Sequence, residues 1–470
     1  MDETIKIIKR DFKNSPDIIF KKMKVKNKEI LLIYNVTLTN SSNINEFILE
    51  KLITLKKINR RNISNIIPEN VIKDVKDKKD LYTKINSGFT IVFINDEKPF
   101  SIETKQDLSR GISEPLTEQS ISGPKDAFTE NYQTNIGLIR KRIKTNDLVI
   151  KEKTIGRQTK TKIAIFYMDN IIEENLLKDI EDKLNQIDID AILDSTYIKE
   201  ILENKQSAFP TIIPTERPDT ASMNLLEGKI CIMVENSPYV LIIPSFFSDL
   251  FHSAEDNYQN SINVTFTRII RYAAFFIAIL LPALHVAITT YDHEAIPVTL
   301  LINFAAQREG VPFPLIAEAL GLTLVFELLR ESDIRMPHLS GTAISILGAI
   351  VLGDAAVAAG IVSPIMVIII ALSAISSLMF SNIGMVNAIR LWRIIFMLFA
   401  SIAGIIGIFF ASFILIAHLS SLKTAEKPYL YPLIPLNKKF LKEVLIKKNI
   451  KNKNKRMPIL TNKNYTRSNL

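Results

Sequence analysis

The 470-residue chain holds a single cysteine, Cys231, so it can close no disulfide within itself. That points to a reducing compartment around the residue. The five histidines, His252, His285, His293, His338 and His418, are scattered without metal-ligand spacing, so neither a metal nor another cofactor is expected. There is no phosphate-binding P-loop, no G-x-G-x-x-G, no G-x-S-x-G elbow and no H-E-x-x-H. Carboxylates are plentiful, but none stands out from a solvated face, and nothing argues for an enzyme. The opening residues, MDETIKIIKRDFKNSPD, contain no apolar signal-peptide core, so the expectation is an N-terminal half that stays in the cytoplasm.

What is present is an uneven distribution of apolar residues. They make up 47% of the chain and mean hydropathy is +0.16. Up to about Arg268 the chain is rich in Lys, Asn, Asp, Glu and Ile. From Ile269 to His418 it contains long runs with almost no charge, and beyond Lys423 it is strongly basic. Much of the +9 net charge therefore sits in one tail, at Lys438-Lys439, Lys447-Lys448, Lys451, Lys453 and Lys455-Arg456, and not on a nucleic-acid-binding surface. Such a tail either holds anionic membrane lipids or stays solvated.

The polar half contains two similar patterns. The strand-like run Glu29–Tyr34 is followed by a helical pattern, Ile44–Lys57, and then by a hairpin opened by Gly88. The run Lys162–Tyr167 is followed by the helix Glu173–Gln186 and a hairpin opened by Gly228. The expected fold is an α/β soluble N-terminal region of two similar subdomains, followed by an all-α multi-pass membrane domain. The divisions read as subdomain 1 over 1–120, a linker with a basic helix over 121–157, subdomain 2 over 158–265, a membrane domain over 266–422 and a basic tail over 423–470. Val240–Pro244 is too short to span a bilayer, and it reads as the second strand of its hairpin.

Four segments have the apolar length to cross: 269–290, 341–360, 362–380 and 394–418. Phe313–Glu331 keeps only a short apolar stretch between Glu318 and Glu327, so it is expected to be interfacial, re-entrant or buried among helices. A basic tail and a signal-free N-terminus both on the cytoplasmic side require an even number of crossings. Ala403, Gly407 and Ala411, with Gly353 and Gly360, have the small-residue spacing that lets helix backbones approach. Asp354 stands within an apolar helix, where a carboxylate is costly and usually faces a bundle interior or water. With Glu318 and Glu327 it is a candidate for a pore or gate.

Several runs resemble the A subunits of GerA-type spore germinant receptors. They are Gly123–Phe128 with Thr134–Arg140, Phe209-Pro210 with Thr215–Asp219, Leu226–Lys229 and Ser253–Tyr258. The helical half adds Arg308–Pro314, Phe326–Glu331 and Leu352–Ala356. Order and spacing agree from about Gly123 to Pro435. Two departures stand out: Glu235-Asn236-Ser237-Pro238 where the family commonly has Asp-Gly-Thr-Pro, and Glu255-Asp256-Asn257-Tyr258 for Glu-Asp-Tyr-Tyr. The resemblance implies a receptor subunit in the inner membrane of the bacterial spore, with its N-terminal region and tail facing the core. It implies a transporter-like B subunit and a lipoprotein C subunit as partners, and a homo-oligomer of A subunits that conducts cations when nutrient binds. It also marks Glu216, Arg217, Pro218, Glu227, Gly228, Arg308, Glu309, Gly310, Pro312 and Pro314 as candidate interface residues. The alternatives are a non-conducting signalling scaffold, or a secondary transporter, which would normally show more spans and inverted repeats.

Overall fold

The computed structural model describes residues 2–25, 28–54, 72–95, 98–106, 114–115, 117–203, 207–335, 353–449 and 454–467. The polar half forms two five-stranded antiparallel sheets. The first contains β1 (Ile18–Val25), β2 (Lys28–Asn35), β3 (Ile72–Asp74), β4 (Phe89–Ile94) and β5 (Phe100–Glu103), in the order β1-β2-β4-β5-β3. The second contains β6 (Leu148–Ile155), β7 (Thr161–Met168), β8 (Ile213–Thr215), β9 (Ile230–Val234) and β10 (Val240–Ile243), in the equivalent order β6-β7-β9-β10-β8.

The central strands are unbroken apolar runs because both sheet faces are covered. In β2, Ile30 and Leu32 join one core while Leu31 and Ile33 join another. In β7, Ala164, Phe166 and Met168 face one core and Ile163, Ile165 and Tyr167 the opposite one. This is the two-residue side-chain period of a strand. The covering helices are α1 (Asp2–Asp11), α2 (Lys78–Ile85), α3 (Tyr132–Arg142), α4 (Glu174–Asn185), α5 (Ser195–Leu202) and α6 (Pro218–Glu227), with a helical stretch over 41–54. The β9–β10 turn has Asn236 at φ +64°, so asparagine takes the left-handed position that glycine would otherwise fill.

The first sheet is tied to the second unit through a buried cation on α3. Arg140 donates from Nε to Asp17 at 3.0 Å, from Nη2 to Ser15 at 3.0 Å and from Nη1 to the Leu148 carbonyl at 3.0 Å. Asn35 donates to the same Asp17 carboxylate at 2.7 Å. The basic end of this helix is therefore not all solvated, since Arg140 is fully buried.

The apolar half is helical. It comprises α7 (Ser261–Thr290), α8 (Val298–Arg308), α9 (Leu315–Arg335), α10 (Pro364–Ser377) and α11 (Ile383–Ser421). Among the described residues, α7 and α11 are long and apolar enough to cross a membrane. The structure differs from the sequence expectation in two places. The α10 helix is shorter than the 362–380 run and extends only about 21 Å at 1.5 Å per residue. Most of 341–360 lies outside the described residues, of which 353–358 are helical.

The second difference is in α11, where 394–418 is not one straight helix. Ala403 (φ −138°, ψ 21°) and Gly404 (φ 57°, ψ −139°) leave the helical region, and the chain turns back on itself there. Trp392 and His418 consequently lie with ring centroids 5.7 Å apart, although a straight helix would separate them by about 39 Å. The sequence gives no charge or proline at this point, so the two arms read as one run.

The tail does not hang free. After α11, Thr424 donates to the Thr211 carbonyl at 2.7 Å, and Tyr429 donates to that of Pro210 at 2.9 Å. The amphipathic α12 (Lys438–Leu445) buries Phe440 and Val444. Arg456 donates to the carbonyls of Leu226 at 2.7 Å and Thr466 at 2.6 Å.

Candidate functional site

The Glu216-Arg217-Pro218 run lies at the start of α6, where Pro218 takes the first helical position and spends no needed N–H. Arg217 is fully buried and holds the linker. It is bidentate to Asp219 at 3.1 and 2.9 Å, and it also donates to Ser120 at 2.8 Å and to the Pro124 carbonyl at 2.8 Å. Tyr258 donates to Asp219 at 2.5 Å, and its ring leaves room at Gly123 only for a hydrogen. An exposed loop ion pair would be worth little; this one is enclosed and satisfied. Glu216 accepts from the Thr117 amide at 2.8 Å. Glu118 accepts from the Thr215 hydroxyl at 2.6 Å and the Glu216 amide at 3.1 Å, and burial raises its carboxyl above the ordinary range. Glu227 pairs with Arg467 of the tail. Gly228 ends α6 at φ +100°, close against the Leu460 carbonyl.

The sheet unit and the helices meet at an aromatic seam. Phe251 stacks on Tyr272 at 4.0 Å and meets Phe275 and Phe380 edge-on at 5.6 Å each. Phe209, Leu250 and Phe251 from the sheet side share one core with Phe275, Phe380, Trp392 and Phe396. Beside it, Asp256 pairs with Arg268 at 3.0 Å and with Arg271 at 2.9 Å. A cavity of about 230 Å³ opens here, lined in part by Lys229, Asp249, His252, Asp256, Arg268 and Phe440. His252 lies 3.1 Å from the Val444 carbonyl of α12. Burial, reinforced by Arg268, lowers its pKa to about 4. Cys231 is wholly buried, and burial pushes its thiol up, which makes it a structural and unreactive cysteine.

Within the helices, Glu318 is 2% exposed and accepts from the Ser363 amide at 2.6 Å and its hydroxyl at 2.5 Å. It thus satisfies the N-terminus of α10, where a carboxylate is favoured. Glu327 faces the opposite side of α9 and meets Arg393 and Arg390 on α11. The two glutamates therefore do not share one lumen-facing stripe. Asp354 is exposed on the helical turns 353–358. Arg308, Glu309, Gly310, Pro312 and Pro314 form a loop that is largely exposed, with Gly310 at φ +91° and its carbonyl near Gly360. Ala403 is exposed at the α11 reversal, Gly407 abuts the Phe399 carbonyl across the hairpin, and Ala411 is fully buried. Among the described residues, Gly353 has no neighbour where a Cβ would point.

Sequence reasoning missed Arg140, Arg390, Arg393, Asp292 and Gly404. The available signals were arginines three residues apart on an apolar run, and a glycine inside a helical pattern. No cluster of metal-ligating groups occurs among the described residues.

These features define a sheet-rich unit joined by a packed seam to a helical half with, among the described residues, two apolar helices of membrane-spanning length. Comparison with known proteins gives the family. A family model described as Bacillus/Clostridium GerA spore germination protein matches residues 6–459, and the chain belongs to that family. It is 37% identical over 449 residues to spore germination protein KA of Bacillus subtilis, covering 93% of this chain and 82% of that one. It is 32% identical over 445 residues to spore germination protein A1 of the same organism, covering 92% and 91%. Among solved structures it is similar to the N-terminal domain of the A subunit of the Bacillus megaterium spore germinant receptor GerK3. That match is 31% identical, covers 53% of this chain and 95% of that one, and has a TM-score of 0.42.

Proposed function

We infer that this chain is the A subunit of a nutrient receptor that starts spore germination. It would sit in the inner spore membrane as a multi-pass protein, oligomerise, and pass cations when nutrient engages the receptor. A transporter-like B subunit and a lipoprotein C subunit would be its partners, by the resemblance of its sequence to receptor A subunits. The observation that carries this reading is the shared core at the seam, in which Phe251 of the soluble unit packs on Tyr272 and Phe275 of α7. A change in the soluble unit has a rigid path to the helices there.

Membrane insertion is supported by the apolar side chains left uncovered, among them Ile402 at 74%, Phe409 at 72% and Phe413 at 73% exposed. Large apolar side chains exposed in this number on the helices favour lipid or another copy against them. The sheet-rich unit and the tail pack together at one end of the helices, which favours an even number of crossings. The long helix α7 and the two arms of α11 would supply three of these, and the remaining helical segments would supply a fourth.

Asp354→Asn tests the conducting role in spores that keep the variant at normal abundance. Altered nutrient-triggered ion release is expected, whereas normal release removes Asp354 from the pathway.

A further inference from the structure

Three guanidiniums surround one carboxylate where α9 meets α11. Glu327 Oε2 lies 3.0 Å from Arg330 Nη2 and 3.0 Å from Arg390 Nε, and its Oε1 accepts from Arg393 Nη2 at 3.2 Å. Arg393 is 2% exposed at its side chain and is fixed further by Ser373, whose hydroxyl lies 3.2 Å from Nη1 and itself donates to the Ala278 carbonyl at 2.7 Å. Arg390 donates from Nη2 to Asn387 at 3.2 Å. Glu327 is thus the carboxylate on which all three guanidiniums converge.

The donors are also under-used. Among the described residues, the Nε atoms of Arg330 and Arg393 are buried and have no hydrogen-bond partner, and that of Arg390 meets Glu327 without hydrogen-bond geometry. Guanidinium donors left unpaired in a low-dielectric helical layer are costly unless an anion satisfies them. The cluster opens on one side, where the Arg390 side chain is 32% and that of Arg330 is 19% exposed. Planar guanidiniums match the oxygens of a phosphate in a bidentate way, which favours that anion over a halide.

We propose that Arg330, Arg390 and Arg393 form a binding site for a phosphate-bearing anion, with Glu327 holding the guanidiniums in place. The phosphate comes either from an acidic phospholipid at the bilayer surface or from a soluble phosphate. The lipid source rests on the membrane reading above, and the soluble source does not. Glu327 is then a positioning residue within a closed ion-pair network, and not a free carboxylate lining a pore.

The test uses the full chain in phosphatidylcholine nanodiscs, with phosphatidylglycerol added in one arm and inorganic phosphate in the other. Thermal midpoint and lipid or phosphate retained by native mass spectrometry are read in both. Wild type should be stabilised in at least one arm; the phosphatidylglycerol arm alone identifies a lipid, and the phosphate arm identifies a soluble anion. Arg390→Gln, the most exposed change, should weaken binding by about tenfold, as loss of one charge-assisted contact would. Glu327→Gln should act oppositely, tightening anion binding while lowering the midpoint without anion. A merely structural cluster would not give that reversal. Equal midpoints and retention in both arms for wild type and Arg390→Gln overturn the proposal, as does weaker binding by Glu327→Gln. Neither arm reads conduction, so failure here is separable from failure of the channel reading.

Discussion

Asp292, in the turn that follows α7, accepts a 2.8 Å hydrogen bond from the amide of Ile405 at the start of the second arm of α11. The Tyr291 hydroxyl donates to the Ser401 carbonyl at 3.0 Å on the first arm. Two neighbours at the end of one helix therefore grip both sides of the reversal in another. The opposite ends of both arms return to the soluble unit, with Gly384 against Pro210 and His418 3.0 Å from Ser207.

Gly404 is the residue this reversal depends on. Its φ of +57° with ψ of −139° belongs to the region open essentially to glycine, and a Cβ there would strike Asp292. Gly404→Ala should lower stability by at least about 1–3 kcal/mol, seen as a lower thermal midpoint in detergent. Independently, cysteines placed at 392 and 418 should be joined within one chain by a short bismaleimide. A chain that is not joined would mean a straight helix.

The Arg140–Asp17 pair should behave as a buried ion pair. Arg140→Leu alone strands the Asp17 carboxylate and should cost about 3–5 kcal/mol in urea unfolding. Replacing Asp17 by Leu as well should restore part of that loss, because the second change removes the stranded charge.

Arg217→Lys should release the linker although charge is kept, since an ammonium cannot reproduce the contacts to Asp219, Ser120 and Pro124 fixed by a planar fork. Faster limited proteolysis within residues 117–126 checks this, and cleavage at the wild-type rate would count against it.

His252 gives a pH dependence of defined sign. Its pKa is lowered from 6.5 to about 4 in the folded chain, by burial first and then by Arg268, with Asp249 and Asp256 opposing. The unfolded chain therefore takes up the proton first. Its stability contribution is intact above about 6.5 and falls as pH drops from 6.5 toward 4. The docking of α12 should loosen over that window, measured as faster hydrogen exchange near Val444, and His252→Gln should flatten the response.

The sheets were legible because β2 and β7 are covered on both faces and so appear as unbroken apolar runs. The flanking strands β1 and β6 were not, because their outer halves carry exposed lysines and break the pattern. The helical half was legible in composition but not in path. Between 394 and 418 only glycines and alanines mark the turn, and the same residues also serve close helix packing. Arg390 and Arg393 share a face at their spacing of three, but their partner Glu327 lies on α9, far off in sequence, so the cluster was passed over. The tail's charge was plain, yet its docking depends on Phe440, Val444 and Leu460, which are too few to stand out in sequence.

The central claim is tested most directly by current across a lipid bilayer holding the purified receptor with its B and C subunits. Adding nutrient should open a cation conductance that Asp354→Asn alters. Assembled receptors that pass no current with nutrient present would contradict the account and leave a signalling scaffold in its place.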